Sequence, residues 1–176
     1  MPDVAELPEL AELEATAGGC TRCALSAGRT LVVFGEGHPR AGLMVIGEGP
    51  GRDEDLAGRP FVGRSGRLLD RLLAEEAGLT REQVYIANVV KCRPPGNRDP
   101  RPEEIAACRP YLDRQIHLVG PTVVLTLGNF ATRAVLGVTE GVTRLRGRTY
   151  PLPPGSGAPP GGAPVVVPTF HPAAAL

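Results

Sequence analysis

Long apolar runs are missing from this chain. None approaches the roughly 18 residues a membrane span requires, which excludes a transmembrane helix and predicts a soluble protein without membrane partners. The start, MPDVAELPELAELEATA, lacks the cationic residues and long apolar middle of a secretory leader, so a cytoplasmic location is expected. Cysteine is scarce, with 4 in 176 residues. In a reducing compartment four thiols read as metal ligands or buried side chains rather than disulfides. Net charge is absent as well, since 19 Lys and Arg balance 19 Asp and Glu, and this alone argues against a nucleic-acid binder. Its distribution does not. Residues 1–80 carry 8 Arg against 13 acidic residues, whereas residues 81–148 carry 11 basic residues against 6 acidic ones, so the second half is suited to face phosphate. Lysine is all but missing, Lys91 being the single one, but a GC-rich genome produces that bias unaided.

What is present organises the chain as one domain, residues 1–176, with no internal repeat. Four short apolar runs predict buried strands: LMVIG (43–47), VYIANVV (84–90), TVVLTLG (122–128) and PVVVPT (164–169). Helical patterns separate them. SGRLLDRLLAEEAG sets Leu68, Leu69, Leu72 and Leu73 on one face, with Gly78 as a stop. RPEEIAACRPYLDRQIHLVG opens with Pro102 and two glutamates and closes at Gly120, and NFATRAVLG gives a shorter helix. Strands alternating with helices predict an α/β fold, three layers deep, around a central, mainly parallel four-stranded sheet. PLPPGSGAPPGGAP (151–164) has too little apolar surface to hold one conformation, and a mobile loop between two sheet segments is expected there.

Open α/β sheets bind ligands at the carboxyl ends of their strands. Glu48, Gly49, Pro50 and Gly51 follow the first run, Asn88 sits in the second, Gly128 and Asn129 close the third, and Phe170 and His171 follow the fourth. Polar groups from distant parts of the chain thus converge on one edge. The glycines of GEGPGRDEDLAGRPFVGRSG permit close backbone approach, although a solvated acidic turn at Asp53, Glu54 and Asp55 would read the same way. Asn88, inside an apolar strand, must find partners or cost about 1–3 kcal/mol, whether it serves a neighbouring loop or a ligand. The cysteines stand as C-x2-C at Cys20 and Cys23 and as C-x15-C at Cys92 and Cys108. Four thiolates can close a tetrahedral zinc site or a 4Fe-4S cluster, and spacing does not choose between them.

Together GEGPGRDEDLAGRPFVGRSGRLLD, VYIANVVKCRPPGNRDPRPEEIAAC, the LG after the third strand and FHPAAAL resemble the family 4 uracil-DNA glycosylases, the iron–sulfur branch of their superfamily. The resemblance runs in order from Cys20 to Leu176. It implies a DNA-repair hydrolase that removes uracil from DNA and leaves an abasic site, acting as a monomer, with a structural 4Fe-4S cluster on Cys20, Cys23, Cys92 and Cys108. By the same resemblance uracil stacks on Phe61, Asn88 accepts from N3–H and donates to O4, His171 binds O2 with backbone help from Gly49, and Glu48 positions water or stabilises the sugar cation. Arg93, Arg98 and Arg101, on a loop clipped by the cluster, would face DNA phosphate. The better-known branch has an aspartate where Gly49 stands here. KCRPPGNRDPRP lacks the basic, histidine-bearing insertion of relatives that form covalent adducts, which argues for turnover. Family members usually continue beyond the histidine motif, so a shortened C-terminal end and a weaker grip on the duplex are expected. The rival reading is a non-catalytic module that binds damaged or single-stranded DNA.

Overall fold

The computed structural model describes residues 8–176; the acidic start, residues 1–7, lies outside the described residues. Four of its strands are β2 (Leu43–Gly47), β3 (Tyr85–Asn88), β4 (Val123–Leu127) and β6 (Val165–Thr169), and they pair in parallel in the order β3-β2-β4-β6. The expected four-stranded sheet is corrected to six. Two-residue strands β1 (Glu36–Gly37) and β5 (Tyr150–Pro151) add antiparallel edges to β3 and β6. Neither has the length to show an alternating pattern, so periodicity gave no sign of them. Bonding of ladder type continues past Asn88, with Val89 N–H donating to the Gly47 carbonyl (2.9 Å) and Val90 N–H to the Glu48 carbonyl (3.1 Å).

Strand alternation divides the core into two faces. Met44, Ile46, Ala87 and Val124 face helices α1 (Pro8–Gly18), α4 (Pro102–Val119) and α5 (Gly128–Leu136). Val45, Ile86 and Leu127 face α3 (Arg64–Ala77) through Leu69 and Leu73. The result is three layers, α/β/α. Short helices α2 (Arg52–Ala57) and α6 (Val142–Leu145) lie in the connections after β2 and α5. Helices α3, α4 and α5 each end on a left-handed glycine, Gly78, Gly120 and Gly137, where absence of a Cβ removes the steric cost. Among the described residues no helix is long and apolar enough to cross a membrane.

The proline- and glycine-rich segment 151–164 joins β5 to β6 and touches the body of the protein at defined points. Leu152 and Ser156 are buried, and Gly157, at φ +79°, lies so close to α4 that a Cβ would stand 2.0 Å from the Asp113 carbonyl oxygen. Leu112 in α4 has no exposed surface and packs between sheet and helices. Leu112→Ala is expected to cost about 2–5 kcal/mol, seen as a lower urea midpoint at unchanged slope.

Candidate active site

The carboxyl edge of the sheet holds a cavity of about 370 Å³. Glu48, Gly49, Phe61, Asn88 and His171 all line it, joined by Glu54, Asn97 and Arg98. Five segments of the chain meet there, because parallel strands with crossover helices bring every carboxyl end to one edge.

At the centre stands Gly47, the last residue of β2. A Cβ on it would lie 2.5 Å from Phe61 Cζ and 2.6 Å from Asn88 Oδ1, so ring and amide approach each other across bare backbone. Nothing in the sequence alone marks Gly47 apart from other strand-end glycines. Asn88 is buried, and its Oδ1 is the one buried side-chain oxygen or nitrogen without a hydrogen-bond partner among the described residues. An unpaired buried acceptor costs about 1–3 kcal/mol, which a ligand donor would recover. Phe61 has φ +52°, a region that a bulky residue enters at a cost of roughly 1–3 kcal/mol. Its ring stacks on His171, with centroids 5.7 Å apart and planes inclined by 29°.

His171 carries its own orientation device. The Ala173 backbone N–H donates to Nδ1 at 3.0 Å, so Nδ1 is an acceptor and the neutral ring keeps its proton on Nε2. Burial lowers its pKa from the ordinary histidine value, with the Glu54 carboxylate acting weakly in the opposite sense. Gly128, at φ +86°, lets the start of α5 pass this residue, since a Cβ there would be 3.2 Å from His171 Cβ. Glu48 is half-buried, and burial pushes its carboxyl above the usual range, with Asp99 adding in the same direction. Gly49 has its own steric reason: a Cβ would meet Val90 Cγ2 at 2.6 Å, so a larger residue would require Val90 to shift.

The acidic cluster 53–55 is more than a solvated turn. Glu54 Oε2 accepts from Gly51 N–H (3.2 Å), while Oε1 accepts from Val62 and Gly63 N–H (both 3.2 Å), stitching the loop after β2 to the Phe61 segment. Its position three residues after Gly51 is the one available sequence signal, that of a capping carboxylate. Asp55 is buried and accepts from Thr30 N–H at 2.8 Å, a contact across 25 residues.

The arginines of the 93–101 loop differ from one another. Arg98 reaches the cavity, yet both of its terminal nitrogens donate to buried Glu104, at 2.7 and 2.9 Å, and this pairing holds the Glu104 carboxyl below its usual range. Arg93 Nε donates to Asn97 Oδ1 at 2.6 Å, and Arg101 is exposed at the N-terminus of α4. A second, smaller space is walled by Cys20, Cys23, Cys92 and Cys108, with Arg29, Lys91 and Tyr111 around them. Arg29 Nη1 donates to the Cys20 carbonyl (2.6 Å) and stands 3.5 Å from Cys92 Sγ. Burial pushes the Cys108 thiol up to about 11 and also raises Cys92. Among the described residues no three His, Cys, Asp or Glu side chains converge on a single-ion position.

A model of the uracil DNA glycosylase superfamily matches residues 34–176. This chain belongs to that superfamily. It is 47% identical over 161 residues to the type-4 uracil-DNA glycosylase of Sulfurisphaera tokodaii, covering 89% of this chain and 71% of the relative. It is 47% identical over 154 residues to the type-4 protein of Thermotoga maritima, covering 87% and 76%. The type-5 uracil-DNA glycosylase of Thermus thermophilus is 35% identical over 142 residues, covering 70% and 64%. Of these three, the type-4 proteins share more with this chain. All five residues expected to contact the base, Glu48, Gly49, Phe61, Asn88 and His171, lie within the matched region and line the one cavity.

The His171 geometry has a direct readout. Nitrogen-detected NMR at pH 7 should show a neutral ring protonated on Nε2, titrating below the ordinary value of about 6.5.

Proposed function

We propose that this chain hydrolyses the N-glycosidic bond of uracil in DNA, releasing the base and leaving an abasic site. The observation that carries this reading is the unpartnered Oδ1 of buried Asn88, in a cavity also lined by the stacked rings of Phe61 and His171. Uracil offers a donor at N3 and an acceptor at O4, matching the oxygen and nitrogen of the Asn88 amide; cytosine offers the reverse. The names of the type-4 relatives point the same way.

A base stacked in a duplex is out of reach, so the nucleotide is first extruded, at a cost of about a few kcal/mol that is least at a mismatch. The flipped base stacks on Phe61. As the glycosidic bond breaks, positive charge grows on the sugar and negative charge on the departing base. His171 Nε2–H donates to uracil O2, where that charge collects, and its Nδ1 bond to Ala173 fixes the donor beforehand, so no reorganisation is needed. Glu48 supplies the anionic side of the site. Its raised pKa makes it a better proton acceptor than an ordinary glutamate, suited to orienting water towards the sugar carbon and taking its proton.

DNA phosphate is held by the loop that bears Arg93, Arg98 and Arg101. Arg101 and Arg93 carry most of that attraction, since the charge of Arg98 is matched by Glu104.

Cys20, Cys23, Cys92 and Cys108 hold a 4Fe-4S cluster. The donor set fits: four thiols line one space, with the cations of Arg29 and Lys91 beside them. Burial raises the Cys108 and Cys92 thiols, and a bound metal would favour their ionised form. When bound, the cluster supplies cross-links between the N-terminal arm and the 92–108 segment; hydrolysis of the base involves no electron transfer.

Two outcomes test these assignments. Asn88→Asp should excise uracil from single-stranded oligonucleotides at least about 10²-fold more slowly than the parent, because an ionised carboxylate repels O4. Weak cytosine release should emerge as pH falls and the acid protonates; unchanged uracil excision would make Asn88 a structural amide. Cys108→Ala should lower bound iron and thermal stability together, read by iron analysis, absorbance near 400 nm and a melting curve.

A further inference from the structure

Phe61 is held in a conformation its own chain resists, and the group that holds it comes from elsewhere. With φ at +52° the backbone of an aromatic residue is strained, and in this conformation the ring lies over Gly47, against His171 and beside Asn88. Arg81, in the turn Arg81–Gln83 that leads into β3, meets the strained peptide directly. Its Nη1 donates to the Phe61 carbonyl at 2.9 Å, and its Nη2 donates to the Pro60 carbonyl. The remaining N–H groups are also spoken for: Nε and Nη2 donate to Glu36 Oε1, at 3.0 and 2.9 Å, and Nη1 to Asp70 Oδ1 at 3.0 Å.

All five donors of the guanidinium are thereby used. Two carboxylates on β1 and α3 set its orientation, and the two carbonyls are what it presents to the Phe61 loop. Below the loop, α3 makes way at Gly66, where a Cβ would lie 1.8 Å from the Phe61 carbonyl oxygen. The side chain of Arg81 is 13% exposed, so the pairing is shielded from solvent and has little freedom. A lysine ammonium has three donors on one point and cannot span two carbonyls and two carboxylates.

We propose that Arg81 is the positioning residue of the base-stacking ring: it clamps the left-handed peptide at Phe61 and so fixes the aromatic face on which the extruded base rests. The proposal rests on the reading of Phe61 as that face. Arg81 touches neither base nor sugar, and Glu36 acts one step further out, by seating Arg81.

The test compares Phe61→Ala, Arg81→Ala, Arg81→Lys and the Phe61→Ala/Arg81→Ala pair on the holoprotein, measuring kcat, KM for a uracil-containing oligonucleotide, inhibition by free uracil and the melting temperature. Removing a stacking ring costs on the order of 10-fold or more in base binding. Arg81→Ala is expected to weaken inhibition by free uracil and lower kcat/KM by a comparable factor, Arg81→Lys is expected not to restore them, and the double variant should resemble Phe61→Ala alone. If Phe61→Ala loses affinity for uracil while Arg81→Ala keeps the parent's inhibition constant and only melts earlier, Arg81 is a structural ion-pair partner and the proposal fails by itself. If neither variant changes uracil affinity, the stacking role of Phe61 falls and the proposal falls with it. Glu36→Gln, a milder perturbation that leaves Arg81 in place, guards against misfolding of Arg81→Ala: it should shift free-uracil inhibition in the same direction by a smaller factor, and no shift would count against the clamp.

Discussion

The close approach of Phe61 and Asn88 across Gly47 is the constraint on which the rest of the site depends. Ring and amide can come this close only if the backbone between them carries no side chain, and Gly47 meets that condition at the end of a central strand. The approach has two costs. Phe61 must take a left-handed backbone, and Asn88 must keep a buried oxygen without a partner. The first is maintained by the contacts of Arg81 and Gly66 with the Phe61 peptide and of Glu54 with the following Val62 and Gly63 N–H groups. Strain and an unmet hydrogen bond persist where the surrounding structure over-determines them.

The cavity and the cysteine-lined space are not separate regions of the protein. Lys91, fully buried, donates from Nζ to the Asn88 carbonyl at 2.8 Å and to Gln115 Oε1 at 2.6 Å, while its backbone N–H reaches Cys108 Sγ at 3.3 Å. Burial lowers this amine to about 8, and the neighbouring Cys108 pulls in the opposite sense. The same few residues therefore end β3, present the amide and lead into Cys92. Lys91 thus links the cysteine-lined space to Asn88 by covalent and hydrogen-bonded neighbours.

Sequence reading located the four parallel strands and helices α3, α4 and α5 to within a few residues, because long buried elements leave apolar periodicity and glycine stops. Strands β1 and β5 were invisible at two residues each. The cavity-lining residues Glu48, Gly49, Asn88 and His171 were legible from strand ends alone, the four-cysteine set from its spacing, and Phe61 from the family resemblance. Arg98 shows where such reading ends. As a basic residue in a proline-broken loop it looks like its neighbours Arg93 and Arg101, and nothing local announces that Glu104 will neutralise it. Asp55 and Glu54 are the same case in reverse, being acidic residues that resemble a solvated turn but accept backbone N–H groups brought from other segments.

By itself the sequence determined the order of elements and, through it, the edge on which the functional groups gather. Parallel pairing with right-handed crossovers leaves no other place for strand ends to meet. The tertiary structure alone decided which of those groups are free to act. Whether an arginine faces solvent or a carboxylate, whether an amide oxygen finds a donor, and whether an aromatic peptide is held at positive φ all turn on distances between segments dozens of residues apart. Hydrogen bonds and ion pairs fall away over a fraction of an ångström to a few ångströms. Composition and spacing carry no record of separations that small, and they exist only once the chain has packed.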